Sequence, residues 1–320
     1  MHREASPRAG LDPPGPLEGQ ALLLVLDMSQ NSHDSELRRQ FAAAKGSWHW
    51  LSNAEWARAL ELASGSWAEK LHGVQFPWLC WNVDSQWCLV QQRMVTAVGW
   101  TPVVGFDPRA GEPPLVEGAI LVDFNRGLDF PSMSMMFPLE LTFLFASRLA
   151  FWHSDLLVRK PLFADLASSF RTLQPGLTAA VDLRARWYRR LLGEKRGRYW
   201  ELIGCTTREA SRAQFEAGCG WWRHTSAHVN CPNESERQAR SRYTHDHGSG
   251  ILIWEERHGG LVQPISAKPL DEGHCTRIGN KRYQPQSPTD HRRDLSKDLS
   301  HNYDLKEVCA ALGLAEFLSP

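Results

Sequence analysis

Residues 149–170 read LAFWHSDLLVRKPLFADLASSF, and the expected fold turns on this stretch. The apolar run from Leu149 to Trp152 leads straight into His153, Ser154 and Asp155, and a second apolar run, Leu156 to Val158, follows at once. A short apolar run bounded by polar residues is the pattern of a strand covered on both faces. The run from Pro161 to Phe170 has helical spacing. The unit is therefore strand, polar tip, helix.

The same alternation extends in both directions. Upstream, an apolar stretch at 78–83 ends at Asp84, and a helix-like run at 87–98 stops at Gly99. A strand at 101–106 ends at Asp107, a strand at 119–122 ends at Asp123, and a Met/Pro-rich loop leads to a helix-like run at 139–146. Downstream come a strand at 177–181, a basic helix at 185–192 and an apolar stretch at 201–205. A Gly/Trp-rich segment at 216–224, a polar helix at 233–243 and strand-like runs at 250–254 and 261–265 complete the series. Strands alternating with helices predict an α/β fold built on a doubly wound, mainly parallel sheet. In such a sheet Asp84, Asp107, Asp123 and Asp155 gather at one carboxyl edge, where open α/β folds bind ligands. The competing reading of any one of them is a helix cap or turn former.

With 320 residues, 36 basic and 36 acidic, the chain can bury a large core and carries no net field that would draw it to nucleic acid or an anionic membrane. Seven cysteines, an odd number with no CxxC pair, argue against a disulfide framework or a zinc knuckle and for a reducing compartment. Residues 1–20 are Pro/Gly-rich and read as a disordered leader without the apolar core of a signal peptide. The apolar run at 21–26 is too short to span a bilayer, so a cytoplasmic protein with no integral membrane segment is expected. Residues 21–75 form an N-terminal extension with a β-type run at 21–27 and a helix at 53–71 whose Trp56, Leu60, Ala63, Trp67 and Leu71 recur at helical spacing. Residues 76–280 form the main domain, and 281–320 a polar arm closed by a helix at 305–317. Each of the fourteen tryptophans is read first as core filler.

Three constellations carry candidate chemistry. In extended backbone His153 and Asp155 share a face, so an imidazole and a carboxylate can point at one cation. The pair suits Mn²⁺ or another first-row ion better than Ca²⁺, and a plain His-Asp hydrogen bond is the alternative. Glu272-Gly273-His274-Cys275 offers close backbone approach at the glycine and an imidazole for a metal or a diphosphate, against a structural Cys-His pair. The segment containing Trp221, Trp222, Arg223 and His224 suits a loop that stacks on a sugar while a polar group meets a hydroxyl or phosphate, against a tryptophan anchoring a loop to the core. His245-Asp246-His247 flanks a Gly-rich turn and reads as an ordinary polar loop.

Residues 149–170 resemble the segment around the DxD motif of GT-A-type glycosyltransferases: an apolar strand, acid-x-acid, an aliphatic triplet, a polar pair, Pro-Leu and a helix. The helix ending at Ala146 and the strand through Ala179, Ala180 and Val181 fit the same order. The resemblance spans 76–280 in organisation and about twenty residues in motif. It departs at His153, which stands where the first acid of DxD would be. The resemblance implies a GT-A fold and transfer of a sugar from a nucleotide-diphosphate donor to a carbohydrate or other acceptor, assisted by a divalent ion, Mn²⁺ or Mg²⁺. It makes Asp155 the metal-binding acid, His153 a ligand or phosphate donor, and His274 the imidazole that completes the metal site. It places Asp84, Asp107 and Asp123 on the nucleotide-binding half, and Trp221, Trp222 and Arg223 in the acceptor pocket. Glu216 or Asp246 becomes the base of an inverting reaction. The alternatives are a non-catalytic carbohydrate- or nucleotide-binding protein on the same fold, and a metal-dependent hydrolase using His153, Asp155 and His274.

Overall fold

The computed structural model describes residues 53–107, 110–124, 135–185, 188, 195–221, 234–244, 247–276, 282–283, 301 and 303–319. In chain order it runs α1 (Asn53–Ser66), α2 (Ala68–Leu71), β1 (Pro77–Asn82), α3 (Ser85–Ala97), β2 (Thr101–Phe106), β3 (Ile120–Leu121) and α4 (Met136–Glu140). There follow β4 (Arg148–Trp152), α5 (Lys160–Arg171), β5 (Leu177–Arg184), β6 (Gly197–Thr207), α6 (Arg208–Glu216), α7 (Glu234–Arg240), α8 (Ser249–His258), β7 (Leu261–Ile265) and α9 (Leu305–Leu312).

All six residues of β1 are buried, which is why its sequence, PWLCWN, shows no polar alternation. Its side chains still alternate between two cores: Leu79 and Trp81 face one, Trp78 and Cys80 the other. The first core is covered by α1, α4, α6 and α8 through residues such as Trp56, Phe137, Ala210 and Ile251. The second is covered by α3, α5 and α9 through Val90, Phe163 and Val308. Helices therefore lie on both faces, and the residues from Asn53 onward in the N-terminal extension belong to one face, where Trp56 stacks on Phe137 with ring centroids 5.3 Å apart.

The seven strands are ordered β3-β2-β1-β4-β6-β5-β7. β1 pairs in parallel with both β2 and β4, β2 with β3, and β5 with β7. β6 is antiparallel to β4 and to β5, so one strand is reversed in an otherwise parallel sheet. The chain goes from β1 outward through β2 and β3, then returns to place β4 on the other side of β1. The order of strands thus reverses between β1 and β4, and the carboxyl ends at such a reversal are where open α/β sheets bind ligands.

Several local expectations are corrected. Residues 250–254 were expected as a strand and lie in α8, where Ile251 to Trp254 are all buried; a fully buried run shows no period that separates strand from helix. The helix expected at 139–146 ends at Glu140 and is followed by a 3-10 turn, Thr142–Leu144. The helix expected at 53–71 breaks at Trp67 into α1 and α2. The strand expected to end at Val181 continues to Arg184. The expected leader, the run at 21–27, most of the basic helix at 185–192 and most of the polar arm fall outside the described residues.

A candidate metal centre at the carboxyl edge

The loop that follows β4 is fixed by hydrogen bonds to four different parts of the chain. The His153 amide donates to Leu202 O of β6 at 2.8 Å. Gln91, buried in α3, donates from Nε2 to the carbonyls of His153 at 2.8 Å and Leu156 at 2.9 Å. His301 Nε2 lies 2.9 Å from Ser154 O and, facing a carbonyl, must be the donor. The Cys275 amide donates to Asp155 O at 2.9 Å. Every carbonyl from His153 to Leu156 is thereby occupied, so the two side chains between them project from a rigid support.

The third side chain arrives by a short antiparallel bridge. Leu156 pairs with His274, and Leu157 N donates to Gly273 O at 3.0 Å. Only glycine fits at 273, because a Cβ there would run into the backbone carbonyl of Leu157. Glu272 is drawn to the same place by Arg159, whose Nε and Nη2 reach its two oxygens at 2.6 Å each, and by Arg282.

His153, Asp155 and His274 consequently meet, with one donor atom from each lying within 4.8 Å of the others. His153 Nδ1 is 3.6 Å and His274 Nε2 3.5 Å from Asp155 Oδ1. Both distances are long for hydrogen bonds, and Asp155 Oδ1 is a buried oxygen that accepts none. Donors arranged tetrahedrally around an ion at the usual bond length stand about 3.4 Å apart. An orphaned carboxylate oxygen with two imidazole nitrogens at nearly that spacing fits a divalent cation, and these three residues are the ones that could hold it.

The electrostatics agree with a site built around positive charge. Burial disfavours protonation of His153, but Asp155 and Glu201 on its two nitrogens outweigh that and raise its pKa from 6.5 to about 10. Burial likewise disfavours the Asp155 anion, and the His153 and His274 imidazoles outweigh it and hold the carboxyl well below the usual carboxylate range. The carboxylates stay ionised and draw a cation, which is either the His153 proton or a metal ion in its place.

Asp84, Asp107 and Asp123 follow β1, β2 and β3 and so share this carboxyl edge. Their local tasks differ. Asp84 caps α3, its Oδ1 accepting from Gln86 N and Trp87 N, and its Oδ2 accepts from His301 N at 3.2 Å. Asp107 is buried, and its amide extends the β1–β2 ladder to Asn82 O at 3.2 Å, whereas Asp123 is exposed. Glu216 is exposed at the end of α6, and Gln214, two residues earlier, bonds Thr178 near the amino end of β5, so Glu216 is not brought to the cluster.

Trp221 is corrected outright as an acceptor platform. It is fully buried, with its ring edge-on to Phe151 of β4 at 4.9 Å between centroids, so no ligand can reach its face. Trp222, Arg223 and Asp246 lie outside the described residues.

Sequence reasoning missed two participants and underread a third. Glu201 of β6 is buried, with Oε1 3.4 Å from His153 Nε2. A lone acid at the head of an apolar run in an inner strand was the available signal, because a buried carboxylate demands partners. Trp200, half-buried, stands edge-on to His274 at 4.8 Å between centroids and forms an apolar wall beside the cluster. His247, expected in an ordinary polar loop, places Nδ1 3.1 Å from Glu201 Oε1.

No protein-family model, no curated protein and no solved structure matches this chain. Among the described residues, no helix is long and apolar enough to cross a membrane.

Proposed function

We propose that this chain is a metal-assisted glycosyltransferase that takes a sugar from a nucleotide-diphosphate donor, with His153, Asp155 and His274 as the metal-holding residues. The reading is carried by the meeting of an imidazole-carboxylate pair at the tip of β4 with an imidazole from far downstream, at the edge of the sheet where the strand order reverses. It is supported as well by the likeness of residues 149–170 to the DxD segment of GT-A enzymes, with His153 in the place of the first acid.

A divalent ion bound there would stabilise the negative charge that builds on a departing diphosphate. The residues themselves bring one carboxylate and two imidazoles. With both imidazoles neutral, the single Asp155 carboxylate offsets only half of a divalent charge, which leaves the bound ion attractive to an anionic diphosphate. Two nitrogens and one oxygen favour Mn²⁺ or a neighbouring first-row ion over Mg²⁺, which prefers all-oxygen shells. The rigid loop from His153 to Leu156 holds the ligand atoms in place, and the Trp200 indole beside His274 keeps water from one side of the cluster.

The test is thermal unfolding of the full chain with UDP or GDP and MnCl₂, followed by assays of donor-sugar transfer and hydrolysis. A nucleotide at a hundred times its dissociation constant stabilises by about 2.7 kcal/mol. The expected result is a shift that requires Mn²⁺ and disappears in Asp155→Ala. No shift with any nucleoside diphosphate in the presence of Mn²⁺ contradicts the reading. Binding that survives EDTA without donor turnover favours a non-catalytic sugar- or nucleotide-binding protein, and phosphoester turnover without sugar transfer favours a hydrolase.

A further inference from the structure

We infer that Glu201 is a positioning residue that fixes the tautomer of His153, so that Nε2 carries the proton and the Nδ1 lone pair is turned toward the metal position. The inference rests on the metal-centre reading above and deepens it.

The backbone of β6 brings Glu201 to the site. Its ladder with β5 runs Thr178↔Thr206, Ala179↔Cys205, Ala180↔Gly204 and then jumps to Val181↔Trp200, so residues 201–203 face no partner on β5. On the other side β6 stays attached to β4, through Trp152↔Ile203 and the bond from His153 N to Leu202 O at 2.8 Å. Unpaired residues in one strand bend it and re-aim its side chains. Here the bend carries Glu201 from an apolar strand to the ring of His153.

Glu201 is 3% exposed, and a buried carboxylate is costly unless several donors meet it. Three do. His153 Nε2 is 3.4 Å and His247 Nδ1 3.1 Å from Oε1, and Arg198 Nη1 is 3.4 Å from Oε2. Arg198 Nη1 also donates to the His247 carbonyl at 2.9 Å, tying the loop before α8 to the same carboxylate. Gly248 permits that approach: it sits at φ 77°, and a Cβ there would strike the carbonyl of Tyr199.

The consequence for His153 follows from which nitrogen each acid sees. Asp155 faces Nδ1 and Glu201 faces Nε2. A carboxylate accepts and never donates when ionised, so Glu201 holds the proton on Nε2 once Nδ1 is given to an ion. Glu201 therefore stands behind the ring, on the side away from Asp155, and orients a ligand without being one. Carboxylates placed in this way behind a ligating imidazole set its orientation and basicity, and their loss costs about 10- to 100-fold in metal affinity.

The experiment is calorimetric titration of the full chain with ZnCl₂ and with MnCl₂, comparing wild type with Glu201→Gln, alongside ¹⁵N NMR of the histidine rings in both Zn²⁺-loaded proteins. The expected results are a 10- to 100-fold weaker affinity in the variant and a His153 ring protonated at Nε2 and ligated through Nδ1. A general packing role for Glu201 would lower the melting temperature and leave the ligating nitrogen undetermined by residue 201. Affinity within twofold of wild type, or ligation through Nε2, overturns the inference. If Glu201→Gln does not fold, Glu201→Asp takes its place, since it keeps the charge but withdraws it from His153 Nε2; affinity within twofold of wild type in that variant overturns the inference. Tight metal binding without nucleoside-diphosphate binding sinks the transferase reading and leaves this inference standing. Absence of metal binding to wild type overturns both.

Discussion

Replacing Gly273 with alanine would press a methyl group into the backbone carbonyl of Leu157. That oxygen belongs to the main chain and cannot swing aside, so the two segments must part. Their separation gives up the bonds from Leu157 N to Gly273 O at 3.0 Å and from Cys275 N to Asp155 O at 2.9 Å, together with the Leu156↔His274 bridge. Two such bonds contribute about 2 kcal/mol, and the overpacking adds about 1–3 kcal/mol. The expected loss is therefore about 3–5 kcal/mol, which lowers the melting temperature of a domain this size by on the order of 10 °C. His274 moves with its neighbour and leaves Asp155, so Mn²⁺ affinity should fall at least tenfold, by roughly 1.4 kcal/mol or more. Scanning calorimetry and metal titration read the two effects together. Gly65→Ala is the control: a Cβ there meets nothing within 4 Å, and the expected change is neutral or about 0.5 kcal/mol stabilising. A Gly273→Ala protein with unaltered melting temperature and metal affinity would refute the bridge as the device that delivers His274.

Metal affinity should also depend on pH. His153 holds its proton up to about pH 10, between Asp155 and Glu201 and near His274, with Arg198 and His247 behind Glu201. An incoming ion must displace that proton, so affinity should climb about tenfold per pH unit from pH 6.5 toward 10, with roughly one proton released per ion; a flat profile contradicts the arrangement. The raised pKa also stabilises the metal-free fold, fully below pH 6.5 and decreasingly as pH rises through about 10, so metal-free protein should melt earlier on the alkaline side. Asp84→Ala removes the cap of α3 and the acceptor for His301 N and should cost about 1–2 kcal/mol in urea unfolding, with Mn²⁺ affinity little changed. Loss of nucleotide binding out of proportion to that destabilisation would give Asp84 a ligand role in addition. Trp221→Ala should cost about 3–5 kcal/mol, because the ring is sealed against Phe151; a stable variant with altered sugar binding would restore the acceptor-platform reading.

The strands of the parallel half were legible because each is an apolar run closed by a polar residue. Thr101–Phe106 and Leu261–Ile265 fall where the pattern put them. The reversed direction of β6 was not legible, since burial on both faces leaves the same apolar run whichever way a strand points. α8 was misread for the related reason that Ile251 to Trp254 are buried without a break. Within the site, His153 and Asp155 could be paired from their i, i+2 spacing alone. His274 could be suspected from the glycine before it, but its meeting with Asp155 depends on a bridge between distant segments. Glu201 escaped because its role is set by a strand bulge, which follows from pairing rather than from composition. Trp221 was misjudged because a glycine beside a tryptophan marks a turn equally well whether the ring turns inward or outward.

Crystals of the full chain soaked in MnCl₂ or ZnCl₂ and measured for anomalous scattering show whether the three side chains share an ion. The expected result is one ion bound by His153 Nδ1, Asp155 Oδ1 and His274 Nε2 at about 2.0–2.2 Å, with Glu201 against the far nitrogen of His153. An ion seated elsewhere, or a pocket still without one at saturating metal while the three side chains hydrogen-bond to one another, would contradict it.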